Sequence, residues 1–433
     1  MVRKAVCFFA PLSLAIEVDF GSQVFASELV LPLLASMIFI FSSGGRFSHD
    51  LQIIIKIGVA YFFAQVASDL WNGTEYAQYS RGWARIFLFL ANLISIYIII
   101  ENKRSHLILF SLGVALGRIW ITYSGFEGDD LPWKIGLAKP VALLVILFCI
   151  VMPGLKGSKN YLGSMLLLAL GIFDIVMDFR SHGAVLIVVA VLLTSSVFLR
   201  SRSRIPGTKL LSSIVGLLLA GMAAFQVYVY AAESGWLSEN AARKYRAQVE
   251  DADEPLLIAG RSEVLVHFEA IFDSILIGHG SWPRDRYYAE QLVIQRYERG
   301  LSNNLALPID NAIPTHSHIF GSWIEAGIIG GLFWANILLL ITRALMRSGA
   351  GNSHMRPLYL YGAVLLLWDI FFSPFSGFRR FETAFLIIIV LRSLLQRQTS
   401  PKMRSKRRTK IRRKRRRRSA GHLGKGEITA PAT

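Results

Sequence analysis

Cysteine is nearly missing from this chain: two in 433 residues, Cys7 and Cys149, each inside an apolar run. That excludes a disulfide framework and a metal site built from cysteines. Charge is sparse too, at 18% of residues, and acids are the scarcer sign, with 29 Asp and Glu against 47 Lys and Arg. No internal repeat is visible, and the only low-complexity segment is the C-terminal tail. A transporter built from repeated halves is therefore disfavoured. The Met1–Lys4 start with its apolar continuation resembles a signal peptide, but no convincing small-residue cleavage site follows, so it reads as a retained first helix.

What the chain has instead is apolar length. Hydrophobic residues make up 53% of it, with a mean hydropathy of +0.45. Apolar segments run over 5–18, 25–41, 51–70, 85–101, 107–123, 135–153, 161–177, 183–199, 210–231, 319–342, 357–374 and 380–395. Most have roughly the 17–22 residues needed to cross a bilayer core. Each is expected to be helical, because lipid cannot satisfy an open backbone. The fold class is then an all-α polytopic membrane protein, with about twelve transmembrane helices and one large helical external loop. Nine spans fall in 1–231, the loop in 232–318, three spans in 319–395 and a disordered basic tail in 396–433. The first span is the weakest: it is short, contains Pro11 and runs into Glu17 and Asp19.

Orientation follows from the short loops. Arg3, Arg46, Lys103, Lys156, Arg204 and Arg347 mark alternate loops, and Asp69 to Glu75 and Glu127 to Asp130 mark the opposite ones. Positive loops stay in the cytoplasm, so both termini are expected there and 232–318 outside. The net charge of +18 is concentrated: 13 Lys or Arg fall within 402–418, and removing them leaves about +5. A basic tail of this kind fixes topology and meets anionic headgroups; no nucleic-acid partner is implied.

The external segment carries apolar groups at helical spacing over 261–276 and an amphipathic pattern over 285–300, suited to lying on headgroups or over a cleft. Four clusters face outward under this topology. His316 and His318 stand at the foot of an apolar run; an imidazole can take a proton near neutral pH, or the pair can simply cap the helix. Arg261 offers a planar donor set that matches phosphate oxygens, or an ordinary ion pair with Glu263. Arg180, in Asp178-Phe179-Arg180-Ser181-His182-Gly183, sits at an outer helix mouth, where a charge needs a ligand or a partner such as Asp174 or Asp178. Ile277-Gly278-His279-Gly280 allows a tight turn that can approach a ligand, with His279 a site residue or only a turn residue. Arg379 and Arg380 also fall outside, as do Arg81 and Arg85, and Glu325 lies one or two turns into the apolar run after His318. No metal site and no cofactor is called for.

Taken in order, these clusters resemble the O-antigen ligase/polymerase family of bacterial envelope glycosyltransferases. The resemblance rests on His316-Ser317, Phe320, Glu325, Gly327 and Gly330, on Gly260-Arg261, on Gly278-His279-Gly280, and on Arg180 with Gly183 and Ala184. It covers 170–335 and departs from the family pattern at Phe179, Ser181, His279 and Ser317. It implies an inner-membrane glycosyltransferase acting at the periplasmic face. The donor would be an undecaprenyl-diphosphate-linked glycan, and the acceptor lipid A-core or a growing polysaccharide. His316, Arg261 and Arg180 would be catalytic; His318, Gly278, His279, Gly280, Glu325 and Arg379 would bind substrate. A polymerase of the same family, or a transporter or flippase of lipid-linked sugar, are the alternatives.

Overall fold

The computed structural model describes residues 2–19, 23–41, 47–123, 132–152, 161–199, 226, 229–232, 234–236, 263–299, 307, 311–313, 315–348 and 354–398. Arg261, most of the expected ninth span at 210–231, the polar stretch 239–250 and the basic tail lie outside them. The described chain is almost entirely helical. Among the described residues, five helices are long and apolar enough to cross a membrane: His49–Trp71, Tyr76–Ile100, Arg104–Tyr123, Trp133–Val151 and His318–Met346. They define an α-helical membrane protein.

In chain order the helices are α1 (Val2–Leu12), α2 (Ala26–Phe41), α3 (His49–Trp71), α4 (Tyr76–Ile100), α5 (Arg104–Tyr123), α6 (Ala138–Val151), α7 (Tyr161–Val176) and α8 (Arg180–Leu199). After the gap come α9 (Val264–Asp273), α10 (Arg286–Glu298), α11 (His318–Ser348), α12 (Arg356–Phe372) and α13 (Gly377–Gln398). Local chemistry sets several boundaries. The Ser48 hydroxyl accepts from the Leu51 amide and caps α3; the Asp285 carboxylate accepts from the Tyr287 amide at 2.8 Å and caps α10. Pro357 fits the first turn of α12, where no amide is needed.

Two expectations change. The first apolar segment is not one helix over 5–18. α1 stops at Leu12, a 3-10 turn spans Ser13–Ala15, and a hairpin of β1 (Glu17–Asp19) and β2 (Gln23–Phe25) follows, pairing Glu17 with Phe25 and Val18 with Val24. The alternation Ile16-Glu17-Val18-Asp19 has the period of a strand, and it takes both acids off the helix axis. Nor is 319–342 one unbroken helix: α11 has non-helical backbone at Ala326 and Gly327.

α3 packs along α11, α4 along α2 and α13, α1 along α5, and α7 along α8, while α12 lies against α8, α11 and α13. The centre is aromatic. Phe89, Phe333, Trp334 and Phe375 meet at ring-centroid separations of 5.1–6.1 Å, and Phe89, Phe333 and Trp334 are fully buried. Polar contacts between helices lie at both ends as well as mid-helix, where Tyr61 donates to Ser322 at 2.9 Å. At one end Arg343 meets Asp50 at 3.0 Å, and Arg392 donates to the Tyr97 carbonyl at 3.0 Å. At the other, called here the loop end, lie 278–282, the start of α11 and the 373–376 turn.

Candidate functional site

The loop end is organised around the break in α11. A broken helix frees backbone carbonyls that need new donors. The turn after α9 supplies them: the His279 amide donates to Ile324 O at 2.7 Å and the Gly280 amide to Glu325 O at 3.1 Å. The Ser68 hydroxyl adds a third donor, to Glu325 O at 2.8 Å. Gly278 and Gly280 adopt φ of +82° and +86°, and a Cβ on Gly278 would lie 2.6 Å from the Gly327 nitrogen. Only glycine fits such a turn at such a distance. The Gly278-His279-Gly280 motif and the Glu325-Gly327 motif are thus two halves of one backbone clasp.

Side chains lock the clasp from α3 and α4. Asp69 accepts from the Ser281 amide at 2.6 Å, the Ser281 hydroxyl at 2.9 Å and the Trp83 indole at 2.8 Å. Gln65 donates to Ser281 Oγ at 3.0 Å. Glu325 forms a buried ion pair with Arg85, whose guanidinium also donates to Phe375 O at 3.0 Å and lies 4.6 Å from the Trp282 ring centroid. His279 hydrogen-bonds through Nε2 with the Ala270 carbonyl at 2.7 Å.

The two histidines of the Thr315–His318 segment have opposite environments. His318 is fully buried: Nδ1 donates to Ser373 O at 2.6 Å, Nε2 lies 3.3 Å from Thr383 Oγ1, and the ring packs on Trp334. His316 keeps 48% of its side chain exposed, with Nδ1 3.6 Å from Glu263 Oε1. The same Glu263 oxygen receives Arg296 of α10 at 3.4 Å. α10 lies against α9 through buried Tyr288, Ala289, Leu292 and Val293. Burial, with a hydrogen bond to Asp273, pushes the Tyr288 phenol above its usual range.

Arg180 reaches Asp178, Nε to Oδ1 at 3.8 Å, and Lys134 approaches Asp178 as well, at 3.3 Å. Arg379 pairs with Asp369 at 3.2 Å, and Arg380 forms a buried pair with Glu28. Of the residues singled out by sequence, Gly278, His279, Gly280 and Glu325 therefore meet one another. His318 and Arg379 are engaged nearby at the 373–376 turn. His316 stands apart at the surface, beside Glu263.

Several site-forming groups were not singled out from the sequence. Gln65, Ser68 and Asp69 share one face of the second half of α3, and that polar stripe was the available signal. Asp174, offered by the sequence as a partner for Arg180, accepts from the Trp133 indole at 2.8 Å and pairs with His182 Nδ1 at 2.6 Å, while His182 Nε2 lies 3.0 Å from the Tyr361 hydroxyl. Lys139 pairs with Glu382 at 2.9 Å. Among the described residues no group of three or more His, Cys, Asp or Glu side chains is arranged to hold a metal ion. No protein-family model, curated protein or solved structure matches this chain.

Proposed function

We propose that this chain is an O-antigen ligase-like glycosyltransferase of the bacterial inner membrane. It would move a glycan from an undecaprenyl-diphosphate carrier to a sugar hydroxyl on lipid A-core or a growing polysaccharide. About twelve spans, cytoplasmic termini and a periplasmic 232–318 loop belong to this reading, and the one-sided distribution of positive loops supports them.

The observation that carries it is His316: an imidazole half-exposed at the loop end, with Nδ1 facing the Glu263 carboxylate. A carboxylate on one ring nitrogen favours the tautomer that leaves the other nitrogen a proton acceptor. The acceptor hydroxyl oxygen forms the new bond to the anomeric carbon, and the bond from that carbon to the lipid diphosphate breaks. The diphosphate leaves with the electron pair, and His316 Nε2 takes the hydroxyl proton. Arg261, two residues before Glu263 in the chain, and Arg180 serve as diphosphate clamps. The leaving group is already good, so positioning and charge stabilisation supply most of the rate. A polymerase uses the same step with a lipid-linked acceptor.

The test is the envelope polysaccharide profile of a deletion strain complemented with wild type or His316→Ala. Glycan missing from lipid A-core but held on the carrier supports a ligase, and single repeat units without long chains support a polymerase. Full rescue by His316→Ala removes glycan transfer through this residue.

A further inference from the structure

α9 and the turn after it have three faces. One is buried: Val266, Ala270 and Ile271 are shielded, the last two in a cluster with Tyr288 of α10 and Ile324 of α11. The second is acidic and satisfied, with Glu269 accepting from the Tyr287 hydroxyl at 2.6 Å and Asp273 from the Tyr288 hydroxyl. The third is apolar and open. Phe268, Phe272 and Leu276 are 50%, 67% and 71% exposed, and Ile275 lies with them. Their spacing is that of one helical stripe. A stripe of large apolar side chains on an outer face marks contact with another apolar surface.

The helices that hold α9 fix its depth. At the far end of the bundle Asp50 of α3 meets Arg343 of α11 at 3.0 Å, an ion pair suited to a membrane boundary. At the loop end Ser68 of α3 donates to Glu325 O, beside the Gly327 break in α11. Between these levels α3 covers about 18 residues and α11, from Gly327, about 16, roughly 27 and 24 Å at 1.5 Å per residue. The hydrocarbon core is about 30 Å thick, so the clasp lies close to the opposite boundary. Trp71 and Tyr76, exposed at the adjoining ends of α3 and α4, are the aromatic groups expected there. Before the break the chain turns back: the Ser322 carbonyl faces Gly330, and the His318 ring lies 4.8 Å from that of Trp334. α9 follows this returning segment, with Phe268 against Phe320 at 5.5 Å and the Trp323 indole donating to Ile275 O at 3.1 Å. It therefore lies at or inside the boundary, and its open stripe faces lipid. The start of α9 is polar but internally matched, since Glu263 meets both Arg296 and His316.

We propose that α9 is an interfacial membrane helix: Phe268, Phe272, Ile275 and Leu276 lie among the acyl chains of the leaflet at the loop end, and the partner of this face is bilayer lipid. The exposed surface of α11 beyond the break, at Ile329 and Leu332, faces the same layer. α10, whose pattern suits that role by sequence, does not take it, because Tyr288, Ala289, Leu292 and Val293 are buried. Insertion of α9 does not depend on glycan transfer.

The experiment uses the full chain in phosphatidylcholine bilayers, with the buried Cys7 and Cys149 replaced by alanine and one nitroxide label on Phe272→Cys or Leu276→Cys. Phe63→Cys, exposed in the middle of α3, supplies the lipid reference, and Arg286→Cys, at the start of α10, the aqueous one. Collision of the label with oxygen, which concentrates in the acyl layer, is compared with collision with a neutral nickel chelate, which stays in water. Both stripe labels should share the oxygen preference of Phe63→Cys and oppose the nickel preference of Arg286→Cys. Two labelled sites report independently, so one ill-folded variant leaves the other to decide. A nickel preference at either folded site would overturn the proposal. Shielding from both reagents would do the same, assigning the stripe to cover from within the chain, such as Leu256-Leu257-Ile258 of the same loop. So would dipolar broadening between labels on two copies, which would make the stripe a dimer face.

Discussion

Gly327 approaches Leu276 so closely that a Cβ on it would lie 2.0 Å from the Leu276 carbonyl oxygen, and its φ is +64°. The approach brings the 278–280 turn onto the carbonyls freed by the break in α11. Gly327→Ala therefore carries two costs, about 1–2 kcal/mol for left-handed backbone and about 1–3 kcal/mol for overpacking against backbone that cannot yield. Gly73 has φ +62° with nothing within 4 Å of a Cβ, so Gly73→Ala carries only the first. Thermal unfolding of the two variants in detergent should show a clearly larger loss for Gly327→Ala. Equal losses would mean that the close approach is not limiting.

Arg85 and Glu325 neutralise each other in a setting that leaves both nearly inaccessible, at 6% of each side chain. Removing one partner strands the other charge, at roughly 3–5 kcal/mol. Glu325→Gln should thus be strongly destabilising. The double variant Arg85→Met with Glu325→Leu should lose less than the two single losses added, because no charge is left alone. A double-mutant cycle on unfolding free energies measures this; strict additivity would show that the pair is uncoupled.

Which parts of this arrangement can be read from sequence follows from what the sequence encodes locally. Apolar length reveals most of the helices, since a span must satisfy its backbone within itself. The same signal misleads over 319–342: apolar length continues through Ala326 and Gly327, and only the packing of a distant turn makes the break affordable. The motifs around Gly278 and Glu325 were visible as separate clusters. Their union was not, because it rests on backbone hydrogen bonds between segments about 45 residues apart. The contrast between His316 and His318 was equally hidden, since identical residues two apart differ only in which way the start of α11 turns them. Arg380 looked like an outward cation, yet Glu28, far away in sequence, buries it.

Asp174 accepts from two donors at once, the Trp133 indole on Oδ1 and His182 on Oδ2. Asn in its place keeps one acceptor oxygen and turns an NH2 toward the other donor. Asp174→Asn should then lose one buried hydrogen bond and leave a donor unsatisfied, about 2–3 kcal/mol in all. His182 would no longer be held toward Tyr361. Thermal unfolding reads the loss, and a midpoint equal to wild type would show that the chain from Asp174 to Tyr361 does not stabilise the helices it joins.

His316 and His318 allow a direct separation of chemistry from architecture. His318 makes its bonds to the Ser373 carbonyl and Thr383 in full burial, against the Trp334 and Phe375 rings. His318→Ala therefore opens a cavity and strands a buried carbonyl, at about 3 kcal/mol or more. It should lower the amount of folded protein in the membrane. His316 is half-exposed and touches one carboxylate, so His316→Ala should leave the unfolding midpoint within about 0.5 kcal/mol of wild type. If glycan transfer runs through its imidazole, the rate per folded molecule should fall by about 100-fold or more. Rates normalised to folded protein decide the matter: a normal rate in His316→Ala with a defect confined to His318→Ala would make this pair structural at both positions.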